Sequence, residues 1–87
     1  ALLPTPVRLA RRLLQMSEGY GIRSDSGQLS SRTLHVSQDK LSSMLAVSRQ
    51  TINQLLRDME SEGILDLRRG SIEILNCDLL RAKSQIQ

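Results

Sequence analysis

The sequence lacks the residue types on which several classes of binding site depend. Among its 87 residues there is no Phe or Trp, and Tyr20 is the one aromatic residue. Binding of RNA or single-stranded DNA by base stacking needs exposed aromatic rings, so this mode of binding is disfavoured. Aliphatic side chains must supply the core, and a chain of this length has room for one small domain.

Cysteine and histidine are equally scarce. Cys77 and His35 are each the single residue of their type, which excludes an internal disulfide and a cysteine-based zinc site. A lone thiol fits a reducing compartment, so we expect a cytoplasmic protein. We expect no signal peptide, since residues 1–4 lack its charged and apolar regions, and no membrane association, since no apolar run approaches the roughly 18 residues of a membrane span.

The sequence contains no nucleophile–base pair, phosphate-binding loop or metal-ligand cluster. We therefore predict a binding protein that is not an enzyme and holds no cofactor in this chain. Its net charge of +3 and isoelectric point of about 9.8 favour a polyanionic partner, although many ordinary domains are as basic. The first residue is Ala rather than Met, which suggests a part of a longer protein.

The first helix is predicted from Thr5, a suitable N-cap, with Pro6 at the first helical position. The apolar residues that recur at helical spacing are Val7, Ala10, Leu13 and Leu14. The opposite face is interpreted as solvated and carries Arg8, Arg11 and Arg12. Gly19 is expected to end the helix, and residues 20–32, rich in Gly and Ser, to form a loop.

Two further helices are predicted on either side of a tight turn. Ser37 and Ser48 are N-cap types, and only residues 46–48 separate the two periodic segments, the spacing of a helix-turn-helix. Apolar or small residues occupy the positions where these helices would cross, namely Leu41, Ser42, Leu45, Val47, Ile52 and Leu55, and Met44 is a further apolar residue of the first of the two. Ala46 stands where glycine is usual, which predicts some backbone strain.

After Gly63, a predicted helix stop, the apolar period changes from helical to alternating. Two short strands are predicted around a turn at residues 68–70, and a further strand at 33–36. A last helix, capped by Asn76, carries Leu79 and Leu80.

The predicted fold class follows from this order of elements. It is mainly α with a small β wing: a winged helix-turn-helix with a three-helix core, a β-hairpin and a short C-terminal helix. We expect residues 1–87 to form this one domain.

The solvent-facing side of the predicted recognition helix, about residues 48–62, is a continuous polar stripe. It consists of Arg49, Gln50, Asn53, Gln54 and Arg57, without a carboxylate before Asp58. Arginine forms paired hydrogen bonds with guanine, and asparagine and glutamine do so with adenine. The stripe therefore predicts contacts with bases in the major groove of double-stranded DNA.

Residues 36–65 resemble the helix-turn-helix of the Crp/Fnr family of bacterial transcription regulators, with a core motif at residues 48–52. The resemblance extends to residues 68–72 and 7–10, and so covers nearly the whole chain. It implies a homodimer on a palindromic operator, and an upstream β-roll domain that binds an effector such as a cyclic nucleotide. Family activators present a loop to RNA polymerase, which would lie at about residues 25–32.

The resemblance also implies individual roles. Arg49 would contact a guanine, Gln50 stands where many members have Glu, and Gln54 where some have Arg, so the half-site best known for the family is in doubt. Ser37, Ser48 and Thr51 match phosphate-binding positions, which hydroxyls and helix N-termini suit. We expect further phosphate contacts from Arg57 and from the wing residues Arg68 and Arg69.

Other interpretations remain open. The two helices could be a structural hairpin without a role in DNA binding. The domain could belong to a winged-helix repressor of another family, or be a winged-helix protein-interaction module that has lost DNA binding. His35 is interpreted as structural, Cys77 as a small, partly buried residue, and Glu60 and Glu62 as the polar end of the recognition helix.

Overall fold

The computed structural model describes residues 3–19 and 32–85. In this part of the chain, helices and strands follow the predicted order. They are α1 (Thr5–Gly19), β1 (Arg32–Leu34), α2 (Gln38–Leu45), α3 (Arg49–Ser61), β2 (Leu65–Arg68), β3 (Ser71–Ile74) and α4 (Cys77–Lys83). The described strands form an antiparallel sheet in the order β1-β3-β2. The predicted winged helix-turn-helix is thereby confirmed.

Three of the four predicted N-caps are confirmed. The side chains of Ser37, Ser48 and Asn76 each accept a hydrogen bond from a backbone N–H in the first turn of α2, α3 and α4. The cap predicted for α1 is wrong by one residue. The backbone N–H of Arg8 donates to the carbonyl of Pro4 at 3.0 Å, so Pro4 precedes the helix and Thr5 is its first residue.

α2 ends in a left-handed turn at Ala46, where φ is 56° and ψ is 43°. The N–H of Val47 donates to the carbonyl of Ser42 at 3.1 Å, and that of Ala46 to Ser43 at 3.4 Å. This is a Schellman ending, which normally uses glycine because a Cβ is unfavourable at positive φ. The predicted strain at Ala46 therefore has a structural basis.

α3 ends in the same way, but with the usual residue. Gly63 has a φ of 79°, and the N–H of Ile64 donates to the carbonyl of Met59 at 3.0 Å. The predicted stop at Gly63 is confirmed. The chain then turns directly into β2, so the position of the wing depends on this helix end.

β2 and β3 are joined by Arg69 and Gly70, with Arg68 opposite Ser71. Gly70 has a φ of 73°, which the tight turn requires and which favours glycine. The third strand was expected at residues 33–36 but lies at Arg32–Leu34, where it pairs with β3.

The core lies between the helices and one face of the sheet. Its buried residues come from all the described elements: Leu9, Ala10, Leu13, Leu34, Val36, Leu41, Leu45, Ile52, Leu56, Met59, Ile64, Leu65, Ile72, Ile74 and Leu80. Two apolar residues of the helices lie largely outside the core, since Met44 is 38% exposed and Leu79 is 44% exposed. The stripe predicted for α1 also missed Leu9, which is fully buried.

The arginine face of α1 is not simply solvated, contrary to the prediction. Nη2 of Arg8 donates to the carbonyl of Leu45 at 2.8 Å, and Nε of Arg11 donates to the carbonyl of Ser84 at 2.8 Å. Each carbonyl lies at the C-terminal end of a helix, where backbone acceptors lack partners and a positive charge is favourable. α1 thus fixes the ends of α2 and α4.

Candidate nucleic-acid interface

The start of α3 is set by the hydroxyl of Ser48. Its Oγ accepts from the N–H of Thr51 at 3.0 Å and lies 2.8 Å from Oγ1 of Thr51. Ser37 makes the corresponding contact in α2, where its Oγ accepts from the N–H of Lys40 at 3.0 Å. Both serines and Thr51 are exposed, so the two helix N-termini are accessible to an anion.

α3 has an apolar face in the core and a polar face in solvent. Ile52, Leu56 and Met59 are buried, and Leu55 is half-buried. The opposite face presents the predicted stripe, in which Arg49, Gln50, Gln54 and Arg57 are exposed and Asn53 is half-buried. The structure therefore brings the five stripe residues together on one accessible surface.

Two of the three amide side chains in the stripe have hydrogen-bond partners within the domain. Nδ2 of Asn53 donates to Oε1 of Gln38 at 3.1 Å, and Nε2 of Gln54 donates to Oδ1 of Asp58 at 3.0 Å. Among the described residues, Gln50 makes no such side-chain contact. Gln50 is therefore the amide with the most freedom to meet a base.

Arg49 meets a carboxylate that the sequence pattern did not indicate. Its Nη1 lies 3.4 Å from Oδ1 of Asp39, in the first turn of α2. Sequence reasoning placed no acid in the stripe before Asp58, because it considered only the residues of α3 itself. The crossing of the two helices adds Asp39 to the surface.

The two arginines of the wing differ. Nη2 of Arg68 lies 3.1 Å from Oδ2 of Asp66 and 3.4 Å from Oε2 of Glu73, so its charge is already opposed by two carboxylates. Arg69, at the tip, is exposed and makes no ion pair with any residue in the described ranges. The sequence gave no reason to separate them, since the pairing depends on strand register.

The two glutamates near the end of α3 connect elements rather than only facing water. Oε2 of Glu60 accepts from the backbone N–H of Leu67 at 2.9 Å, which joins α3 to β2. Both carboxylate oxygens of Glu62 accept from Nζ of Lys83 at 2.8 Å, which joins α3 to α4. The orientation of α3 relative to the wing is therefore held by a specific contact.

The described residues show little that could hold a metal ion. They contain no group of three or more His, Cys, Asp or Glu side chains brought together. Cys77 is half-buried, as predicted, and His35 is exposed. No helix within residues 3–19 and 32–85 has the length and apolar character needed to cross a membrane.

Comparison with known proteins agrees with this geometry. A family model described as the Crp-like helix-turn-helix domain matches residues 7–83. The chain belongs to this family. The match decides against a winged-helix repressor of another family and against a hairpin without a DNA-binding role. This Crp-like domain is the DNA-binding output domain of a transcription regulator.

Relatives and solved structures of this kind are longer than the present Crp-like domain. A CRP-like cAMP-activated global transcriptional regulator of Mycobacterium tuberculosis is 28% identical over 81 residues, which are 92% of this chain and 35% of the relative. A Crp/Fnr-family regulator from Eubacterium rectale has a TM-score of 0.78 at 25% identity, covering 93% of this chain and 33% of that one.

A CooA structure from Carboxydothermus hydrogenoformans has the same fold, with a TM-score of 0.82 at 23% identity over 98% of this chain and 38% of that one. The Crp-like domain thus spans about a third of the length of the proteins it matches. The predicted polymerase-contacting loop cannot be placed on this fold, since residues 25–31 lie outside the described ranges.

Proposed function

We propose that this domain recognises a specific half-site in double-stranded DNA by placing the N-terminal half of α3 in the major groove. The observation that carries the proposal is the single accessible surface formed by the stripe on α3 and the exposed N-termini of α2 and α3. A helix-turn-helix docks in this way, with base contacts from the first turns of its second helix.

Base contacts are assigned to four residues of the stripe. Arg49 pairs with a guanine, and Gln50, next to it on the first turn, contacts the adjacent base pair. Gln54 lies one turn further along α3 and reaches bases after releasing Asp58. Asn53 contributes least to the base contacts, because its side chain is half-buried and hydrogen-bonded to Gln38.

Phosphate contacts surround this centre. Ser37, Ser48 and Thr51 offer hydroxyls at helix N-termini, where the helix dipole favours an anion. Arg57 and Arg69 contact the backbone by charge, since both are exposed and unpaired among the residues described here. Arg68 contributes less than Arg69, because two carboxylates already oppose its charge.

The larger protein follows from the family as a further part of the proposal. An upstream β-roll domain binds an effector, such as a cyclic nucleotide, and controls a homodimer on a palindromic operator in the bacterial cytoplasm. The relative from Mycobacterium tuberculosis, whose name states activation by cAMP, supports this assignment. The domain itself binds without catalysis, and residues 25–32 contact RNA polymerase.

Selection of bound duplexes from a randomised library tests the proposal, with the parent chain and Gln50→Glu in parallel. We expect a half-site with a guanine for Arg49 and a preference at the neighbouring pair that moves toward cytosine in the variant. Glutamate only accepts, and so suits the amino group of cytosine, whereas glutamine donates as well and accepts adenine. Identical motifs from both proteins would show that Gln50 does not face the bases.

A further inference from the structure

We propose that Asp39 is a positioning residue for base recognition, which holds the guanidinium of Arg49 in the orientation that pairs with guanine. The inference rests on the proposed function and adds a residue from α2 to the specificity of α3. Its basis is the contact between Nη1 of Arg49 and the carboxylate of Asp39, at 3.4 Å from Oδ1 and 3.5 Å from Oδ2.

The contact follows from how the two helices begin. Ser37 and Ser48 cap α2 and α3, and the turn through Ala46 brings the two first turns side by side. Asp39 and Arg49 are ten residues apart in the chain, yet their side chains meet while remaining 70% and 67% exposed. Both therefore lie on the surface that faces DNA.

The geometry leaves the guanine-binding edge of Arg49 available. Guanidinium has five N–H donors in a planar fork, and a guanine needs two neighbouring donors. Because Asp39 contacts only Nη1, the edge formed by Nε and Nη2 is unoccupied by this contact. A carboxylate on one side of the fork restricts the orientations of the guanidinium and reduces the rotamer freedom that base pairing must otherwise remove.

An ordinary exposed ion pair would explain the contact without a role in recognition, since such pairs contribute little to stability in water. The surroundings change when α3 enters the groove, because exclusion of water strengthens the attraction between the two charges. The carboxylate is also repelled by phosphates. Asp39 therefore lowers affinity for DNA in general while it supports contact with guanine.

Asp39→Asn removes the charge and keeps the shape of the side chain. Duplexes selected by the parent chain, and versions with the Arg49 guanine replaced, are compared by fluorescence anisotropy at several salt concentrations. We expect the ratio of affinities for the two duplexes to fall about twofold to fivefold, as for loss of an exposed ion pair. Affinity for the duplex without the Arg49 guanine should rise or stay constant.

Asp78→Asn is the matched control, because Asp78 occupies the corresponding place in the first turn of α4 and makes no ion pair within the described ranges. Asp78→Asn changes the net charge and the charge at a helix N-terminus as much as Asp39→Asn does. The ratio of affinities for the two duplexes should nevertheless stay at the parent value. Asp39→Glu should recover part of the ratio. In an Arg49→Ala background, Asp39→Asn should leave the ratio unchanged, because the group it positions is gone.

Two results would overturn the inference while leaving the proposed function intact. One is an unchanged ratio in Asp39→Asn when the parent discriminates between the duplexes. The other is a changed preference at a neighbouring base pair instead, which would mean that Asp39 contacts a base itself. A parent chain that discriminates between no duplexes would instead remove the proposed function, and this inference with it.

Discussion

The arginines of α1 and those of the α3 surface have different environments, although the sequence presents both as cations on a polar helix face. Arg8 and Arg11 donate to backbone carbonyls 37 and 73 residues away, at the ends of α2 and α4. Arg49 and Arg57 are exposed, and among the described residues Arg49 meets only the exposed carboxylate of Asp39. The first pair supports the fold, while the second remains available to a polyanion.

The comparison teaches that an arginine is structural or available to DNA according to whether the fold gives it a hydrogen-bond acceptor, since the charge is the same in both cases. A carbonyl at a helix C-terminus lacks an intrahelical partner, so a guanidinium placed there satisfies a group that folding would otherwise leave unpaired. An arginine held in this way is less available to a phosphate. Counting basic residues would therefore overstate the DNA-binding surface.

Arg49→Ala should sharpen the comparison most. We expect a loss of about 1–3 kcal/mol in discrimination for the preferred base pair, because two hydrogen bonds to one guanine disappear. The free energy of unfolding should change by less than about 0.5 kcal/mol, as for other exposed positions. Competition between matched duplexes and urea unfolding measure the two quantities. A large loss of stability with unchanged base preference would break the distinction.

Arg8→Met should show the reverse pattern. Methionine keeps the apolar stem of the side chain but leaves the carbonyl of Leu45 without its donor. We expect the free energy of unfolding to fall by about 1.5 kcal/mol. This value is at the lower end for a hydrogen bond with a charged donor, because Arg8 is only half-buried. Urea unfolding measures it, with Arg57→Met as an exposed control. At a temperature where both variants are folded, Arg57→Met should lower DNA affinity and Arg8→Met should not, and reduced DNA affinity in Arg8→Met would place Arg8 on the binding surface.

The smallest expected effect is on the salt dependence of DNA binding, and it distinguishes the two arginines of the wing. Arg69→Ala should flatten the dependence of log affinity on log salt by about 0.9, the value for one lost phosphate contact, on specific and random duplexes alike. Arg68→Ala should flatten it less, because Asp66 and Glu73 already oppose that charge. Equal slopes for the two variants would mean that DNA releases Arg68 from its carboxylates.

Local features of the fold were predictable from the sequence because their determinants are neighbours in the chain. Ser37, Ser48 and Asn76 cap helices through contacts three residues away, and Gly63 ends α3 through its own φ. The period of the apolar residues separated helices from strands. The stripe on α3 followed from helical geometry alone.

The features that sequence reasoning missed join residues distant in the chain. The contacts of Arg8 and Arg11 depend on where α2 and α4 end, and the contact of Asp39 with Arg49 depends on how two helices cross. The sequence placed both Leu79 and Leu80 on the last helix, but only Leu80 of this pair is buried in the core. Such outcomes depend on tertiary packing, which a single sequence does not display.

The hydrogen bond from the N–H of Leu67 to Glu60 has a consequence for the shape of the DNA. Because this contact joins β2 to α3, it limits how far the wing can shift relative to α3 when α3 enters the major groove as proposed. A duplex that contacts both α3 and the tip of the wing would then have to bend toward the protein. Base steps that bend easily would then raise affinity at positions where the protein touches no base.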